Sequence, residues 1–504
     1  MLSVFDEGPP APCPRPFNMA AYVLAAAHQN PQKDALLVLG QDDVETWTFA
    51  ALEAAVRGTA TGFLGLGLKP GDKVLMRLGN TVDFPIAYLG ALTAGLVPIP
   101  TSSALTEPET AKIITEITPS AILRDPAVAC PEDPALCGLD QLRTFRALPP
   151  ADFHMGDPDR LGYIIYTSGT SGVPRGVLHA HRAIWARRMM FDGWYGLTAH
   201  DRVLHAGAFN WTYTLGTGLM DPWTVGATAL IPAAGTGAQA LPDLLAEYRA
   251  TIFAAAPGVY RQLLKKNAPF ESRALRHGLS AGEKLPSRIA RAWTALTRTQ
   301  VFEAYGMSEC STFISSAPGL PTSADTLGRP QPGRRVALMG EDGPVPLGTE
   351  GTIAVHRDDP GLMLGYLNAP EETAAKWQGE WFLTGDQGVM SEDGQITYLG
   401  RNDDMMNAGG YRVSPIEVES VLTARADITA VAVTDVEIKT DARVIAAFYT
   451  GPAALDDHEL HTYVSDKLAR YKQPRLYVHL PELPMGANGK ILRRALRAGF
   501  EASK

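Results

Sequence analysis

The chain is poor in cysteine and in excess basic charge, and it holds no long uninterrupted apolar run. Four cysteines (Cys13, Cys130, Cys137, Cys310) in 504 residues have no metal-ligand spacing and are too few to staple a chain of this size, which points to a reducing, cytoplasmic setting. With 45 Lys and Arg against 54 Asp and Glu, the formal charge is −9; no surplus of cations exists to neutralise a nucleic-acid backbone over a wide surface. The longest apolar stretch, "FPIAYLGALTAGLVPIP" from Phe84 to Pro100, is broken by Pro and Gly and is short for a bilayer. It reads as a buried helix followed by a strand, and no membrane insertion is expected. The N-terminus lacks a basic segment followed by an apolar one, which speaks against a secretory signal.

What is present is an alternation of patterns. Helical periodicity at Met19–His28, Thr48–Leu66 and Thr106–Thr118 is interleaved with short β-branched runs such as "DKVLMRL" and "SAILRD". The alternation resumes after Asp201 with "RVLHAGAF", a helix toward Trp223, "GATALIP", a helix over Leu241–Arg249 and "ATIFAAAP". Such a series predicts layered α/β structure with a largely parallel sheet. From Gly328 short strands punctuated by Gly and Pro suggest a small β-subdomain. The last hundred or so residues carry strands and helices of their own, enough for a separate lid. The expected division is therefore a large N-terminal domain, 1–402, of α/β subdomains plus a small β-subdomain, and a smaller mobile α+β domain, 403–504.

The stretch "YIIYTSGTSGVPRGVLHAH", Tyr163 to His181, ends an apolar run in a loop of glycines, hydroxyls and one arginine. Backbone N–H groups freed by Gly169 and Gly172, together with Ser and Thr hydroxyls and a cation, make a nest for phosphate oxygens. The GxxxxGK[ST] spacing of a Walker loop is missing. Further along, "SAGEKLP" (Ser280 to Pro286), "EAYGMSE" (Glu303 to Glu309), "WFLTGD" (Trp381 to Asp386), "GRNDDMMNAGGYRVSPIEVE" and "PMGANGKILRRALR" follow in order. With the opening loop, these six motifs resemble those of the adenylate-forming superfamily of acyl- and aryl-CoA ligases, luciferases and peptide-synthetase adenylation domains, over nearly the whole chain.

The resemblance implies a ligase that joins a carboxylic acid to ATP as an acyl-adenylate, then passes the acyl group to coenzyme A with release of AMP. Thr167, Ser168, Gly169, Thr170, Ser171 and Gly172, with Arg175, would hold the outer phosphates. Arg175 stands where the family usually has Lys, keeping the charge and adding a fork of donors. Gly282 and Glu283 would flank the adenine, Tyr305 and Gly306 would lie against it, and Ser308 replaces the more usual Thr. Glu309 would hold Mg²⁺; outside its "YGMS" context it reads as a surface carboxylate at a helix start. Asp386 would accept the ribose hydroxyls, and Arg401 would also bind ATP. Lys490 would neutralise charge between the attacking carboxylate and the α-phosphate, whereas Arg493, Arg494 and Arg497 read as solvated. Asp403 matches the hinge, and Gly409 falls in a loop that would leave room for pantetheine.

For the acid, the resemblance implies a tail among Trp211, Tyr213, Pro257 and Met307. The wording around Trp211 and "LMDPW" is similar to medium-chain acyl-CoA and aryl-CoA synthetases, and Asn210 stands near Phe209 where a peptide-synthetase domain would place an Asp. The pocket segments offer aromatic and small apolar residues and no group for a second charge, so an aryl or short-to-medium monocarboxylic acid is expected. His179, His181 and His205 read as packing or surface residues, and Cys310 as a small buried hydrophobe. A light-emitting or other non-CoA acceptor reaction, and a non-catalytic ATP-binding protein, remain open alternatives. Partners would be the acid, ATP and CoA, with room for a homodimer.

Overall fold

The computed structural model describes residues 1–502 except 41–42, 134, 168–174, 211, 266–271, 321, 324, 403, 409–410, 440–441, 466, 469 and 487–490. At its centre six strands lie parallel, in the spatial order Gln300–Met307, His277–Ala281, Ile252–Ala255, Arg202–His205, Thr228–Pro232 and Asp34–Leu39. Antiparallel strands close both edges, Val44–Thr48 at one and Ser311–Ser315 with Arg329–Pro330 at the other. The inner strands are buried almost end to end, as expected where both faces of a sheet are covered. Side chains alternate between those faces with period two. Leu204, Phe253 and Ala255 pack with Tyr260 and Trp293 on one side, and Val203, Ala254, Leu279 and Ala304 pack with Trp194 and Tyr195 on the other.

A second, wholly parallel sheet orders Val97–Pro100, Lys73–Arg77, Ala121–Arg124 and Leu136–Gly138. The helix Asp83–Thr93 is buried at every residue, which explains why its sequence carries no polar face. Helix Phe49–Gly65 starts at Thr48, whose hydroxyl accepts the Ala51 N–H, and Glu107–Ile117 starts at a Thr106–Glu109 capping box. The helix expected toward Trp223 has a different form: Thr214–Met220 is π-helical and only Asp221–Val225 is α-helical.

Past Gly328 the chain does build antiparallel structure. Arg335–Gly340, Glu350–His356 and Trp381–Met390 form the body of the sheet, and Ile396–Arg401 pairs with the last of these. Val4–Asp6 adds itself to Arg335–Ala337, a pairing that no local pattern discloses. Arg334 and Asp359 form a completely buried ion pair beneath this sheet, and Arg334 also donates to the Thr312 carbonyl, 3.0 Å away. The pair ties the β-subdomain to the edge of the central sheet.

The C-terminal part holds a hairpin, Met406–Ala408 with Tyr411–Val413, the helix Pro415–Thr423, and the strands Ala430–Lys439, Ala442–Thr450 and Leu476–His479. Helices Asp457–Ser465 and Arg493–Ala502 pack beside them. Here two of the arginines expected to be solvated are structural. Arg493 holds both oxygens of Glu419, at 2.7 and 2.9 Å, and comes within 3.8 Å of Asp404. Arg497 pairs with Asp435 and donates to Thr434. The terminal helix presents these cations to Glu419 on a neighbouring helix and to Asp435 on the strand it covers, so they are spent on attaching it; of the three arginines only Arg494 is exposed.

Candidate active site

The C-terminal ends of the parallel strands share one edge of the central sheet, and that edge is where α/β sheets place ligands. His205 ends one strand, Pro257 follows the next, Gly282 and Glu283 follow the third, and Tyr305, Gly306 and Met307 end the fourth. The chain then turns back sharply into Ser311–Ser315, carrying Ser308 and Glu309 on the turn. Glu309 therefore sits in a hairpin and not at a helix start. Gly306 permits that return: a Cβ there would lie 2.2 Å from the Ser311 carbonyl oxygen.

Asp386 is nearly fully buried and gathers three groups. The Tyr305 hydroxyl donates to one oxygen, the Tyr398 hydroxyl to the other at 3.3 Å, and the Arg401 guanidinium stands 3.7 Å away. Strand pairing sets Asp386 directly opposite Arg401, so the sheet register itself assembles part of this cluster. Burial, followed by the Asp386 charge, pushes the Tyr305 phenol well above its ordinary range, keeping it a hydrogen-bond donor.

Glu309 accepts from the Tyr366 hydroxyl at 2.6 Å. The Ser308 carbonyl lies 2.8 Å from Nε2 of His179, whose ring stacks on Tyr163 at 4.8 Å. Burial drives the His179 imidazole down to about 4, so at neutral pH it is an uncharged donor holding the turn. His181 and His205 are likewise buried and pushed down by desolvation. All three pack internally, none at the surface.

Thr167 and Arg175 face each other at the base of the hairpin formed by Leu161–Thr167 and Arg175–Ala180. The loop residues Ser168, Gly169, Thr170, Ser171 and Gly172 lie outside the described residues, as do Trp211, Asp403, Gly409 and Lys490. Arg175 engages Glu372 through Nε at 2.9 Å and through Nη2. Tyr366, in the two-residue strand that pairs with Val177 and Leu178, thus shares its segment with a second group touching the predicted site. Neither Tyr366 nor Glu372 announces itself by spacing, and Tyr398 and His179 become visible only through the fold.

Of the residues expected to line an acid pocket, Tyr213 packs edge-on to His205 at 4.5 Å and stacks near Trp194. Met307 packs instead with the β-subdomain cluster beside Tyr305, and Pro257 opens the helix Pro257–Leu264. The expectation of no ionic group in these segments needs correction. Asp221 is fully buried in one of them and forms a two-pronged pair with Arg187, at 2.8 and 2.6 Å. The pair is neutral as a unit, so the pocket segment still presents no unpaired charge.

Glu303, on the strand leading to Tyr305, accepts the Leu285 N–H at 2.9 Å and so anchors the Gly282–Leu285 loop. Loss of hydration raises its carboxyl to about 7, partly opposed by that N–H. The unfolded carboxyl titrates near 4.5, so between these values the folded chain binds more protons and stability falls as pH rises. The slope is at most ~1.4 kcal/mol per pH unit. Glu303→Gln should flatten this fall, which urea unfolding followed across the window would record; an unchanged slope would remove Glu303 as its source.

Among the described residues no group of three or more His, Cys, Asp or Glu is placed to hold a metal. A single half-buried carboxylate such as Glu309, completed by phosphate oxygens and water, is nevertheless the donor set Mg²⁺ takes with nucleotides. Among the same residues no helix is long and apolar enough to cross a membrane.

Comparison with known proteins agrees with this geometry. The model of the AMP-binding enzyme family matches residues 23–367, and that of the AMP-binding enzyme C-terminal domain matches 417–490. A benzoate–CoA ligase of Thauera aromatica is 32% identical, covering 91% of this chain and 92% of its own. A mitochondrial acyl-coenzyme A synthetase of Mus musculus is 29% identical over 96% and 91%. A solved anthranilate CoA ligase in complex with anthranoyl-AMP superposes with a TM-score of 0.86 at 25% identity, over 97% and 98%.

Proposed function

Because the chain belongs to the family of AMP-binding enzymes, we propose that it is an ATP-dependent acid–CoA ligase acting on an aryl or short-to-medium-chain monocarboxylic acid. The observation that carries the reading is the Tyr305–Asp386–Arg401 cluster at the carboxyl edge of the parallel sheet. It offers an aromatic face beside a buried carboxylate, the pair that an adenosine needs. Asp386 would accept the ribose hydroxyls, Tyr305 and the Gly282–Glu283 loop would enclose the base, and Arg175 with the 167–172 loop would hold the outer phosphates.

Mg²⁺, when bound, would offset phosphate charge, and Glu309 with Ser308 beside it would be its protein ligand site. The acid's carboxylate oxygen attacks the α-phosphorus, the bond to pyrophosphate breaks, and Lys490 would balance the charge that collects between the two anions. CoA thiolate then attacks the acyl carbon and AMP leaves. A turn of the C-terminal domain about Asp403 would exchange Lys490 for the Gly409 loop between the two steps. The setting is a reducing cytoplasm. A benzoate–CoA ligase as a relative and an anthranilate CoA ligase as a structural neighbour support an aryl acid; the acyl-coenzyme A synthetase keeps the aliphatic range in view.

An acid panel tests this. Pyrophosphate release and acyl-CoA formation are to be measured with benzoate, phenylpropanoate, butyrate through octanoate, palmitate, malonate and an amino acid. Benzoate-like or short aliphatic acids should give the highest kcat/KM, and Trp211→Ala should shift the profile toward longer tails. Preference for malonate, an amino acid or palmitate would overturn the substrate class. Pyrophosphate release without acyl-CoA would favour a non-CoA acceptor.

A further inference from the structure

Arg187 joins two parts of the site that are far apart in sequence. Besides its pair with Asp221, its guanidinium donates to Ser311 at 2.6 Å and reaches Thr217 and Tyr195 at 3.3 Å. The Tyr195 hydroxyl itself donates to Asp221 at 2.7 Å. Asp221 is wholly buried and the Arg187 side chain is 13% exposed, so the network is shielded from competing water. It is also built into the backbone: a Cβ on Gly216 would lie 2.6 Å from Nη2 of Arg187. Thr217 and Gly216 belong to the π-helix Thr214–Met220, a form that costs helix stability and concentrates at functional positions. Ser311, with φ of +66°, closes the hairpin that carries Met307, Ser308 and Glu309.

We propose that Arg187 is a positioning residue that couples the π-helical wall of the acid pocket to the Ser308–Glu309 turn of the nucleotide site, through its bond to Ser311. The proposal borrows from the ligase reading the assignment of Thr214–Met220 to the acid pocket and of the Ser308–Glu309 turn to the nucleotide site. The guanidinium is suited to this because its planar fork serves two partners at once: Nε and Nη2 face Asp221 while Nη1 faces Ser311. Such a link makes occupancy of either half stabilise the other, a reciprocal coupling between sites.

Hydrogen–deuterium exchange with and without the magnesium complex of α,β-methylene ATP tests the link without turnover. In the unaltered enzyme the nucleotide should slow exchange at residues 306–312 and also, by ~5-fold or more, at 214–221, the lower end of typical coupling. Ser311→Ala removes only the connecting hydroxyl, so protection at 306–312 should persist while that at 214–221 is lost. Arg187→Lys, which keeps the charge beside Asp221 but cannot serve both partners, should behave alike. Its acid and ATP KM values should rise together more than kcat falls. Indifference of 214–221 in the unaltered enzyme, or full protection there in Ser311→Ala, overturns the coupling. The acid panel addresses the ligase reading separately: pyrophosphate release from no acid would overturn that reading and leave the exchange result standing.

Discussion

Asp386→Ala should reduce kcat/KM for ATP by about 10²–10⁴. The carboxylate is assigned two ribose hydroxyls, and hydrogen bonds to a charged acceptor contribute ~1.5–3 kcal/mol each. The substitution also removes an acceptor of the Tyr305 hydroxyl and a partner of Tyr398 and Arg401. A fall in Tm should therefore accompany the kinetic loss. Asp386→Asn, which keeps size and an acceptor oxygen, separates the two effects: stability should largely return while the ATP defect remains. Steady-state kinetics with ATP and CoA varied in turn provide the check. If the ATP KM is untouched and the CoA KM rises instead, Asp386 does not serve the ribose.

Lys490→Ala should abolish the first half-reaction and spare the second. Removing one preorganised positive group at a site of developing charge lowers a rate by ~10²–10³. Single-turnover pyrophosphate release should show that loss, whereas synthetic benzoyl-AMP and CoA should still yield benzoyl-CoA at close to the unaltered rate. Equal damage to both steps would sink the assignment to adenylation alone. The division follows from chemistry: only the first step brings a carboxylate anion up to a phosphate anion.

The motifs and the alternation of strands and helices were legible in the sequence because each rests on local information. Gly306, Asp386 and Arg401 each lie within such a motif, while the pairing of Asp386 with Arg401 comes from the sheet register. What stayed hidden was long-range. His179 reads as a lone histidine until the fold sets it against Ser308, 129 positions on. Arg187 and Asp221 are 34 residues apart and look like a surface cation and a helix-start carboxylate until both are buried together. Arg493 and Arg497 deceived for the opposite reason. A basic terminal run has the composition of a solvated tail, and only the acidic residues of the facing strand and helix, Asp435 and Glu419, turn it into an attachment. The π-helical turn at Thr214–Met220 carries Gly216 and Gly218, yet a helical pattern alone cannot distinguish an inserted residue from a regular turn.

The pairing of Val4–Asp6 with Arg335–Ala337 also sets a timetable. Ser3 donates to the Pro346 carbonyl across 343 positions, so this strand is made long before the neighbour it pairs with. At about 5–20 residues per second, it waits roughly 20–70 s on the ribosome before its neighbour emerges. During that interval an unpaired edge is held out in solution, and completion of the antiparallel sheet becomes a late, non-local event of the kind that slows folding. A bulky fusion joined directly to Met1 would burden that late docking and lower the yield of folded enzyme, whereas the same fusion at the other end would leave the docking strand free.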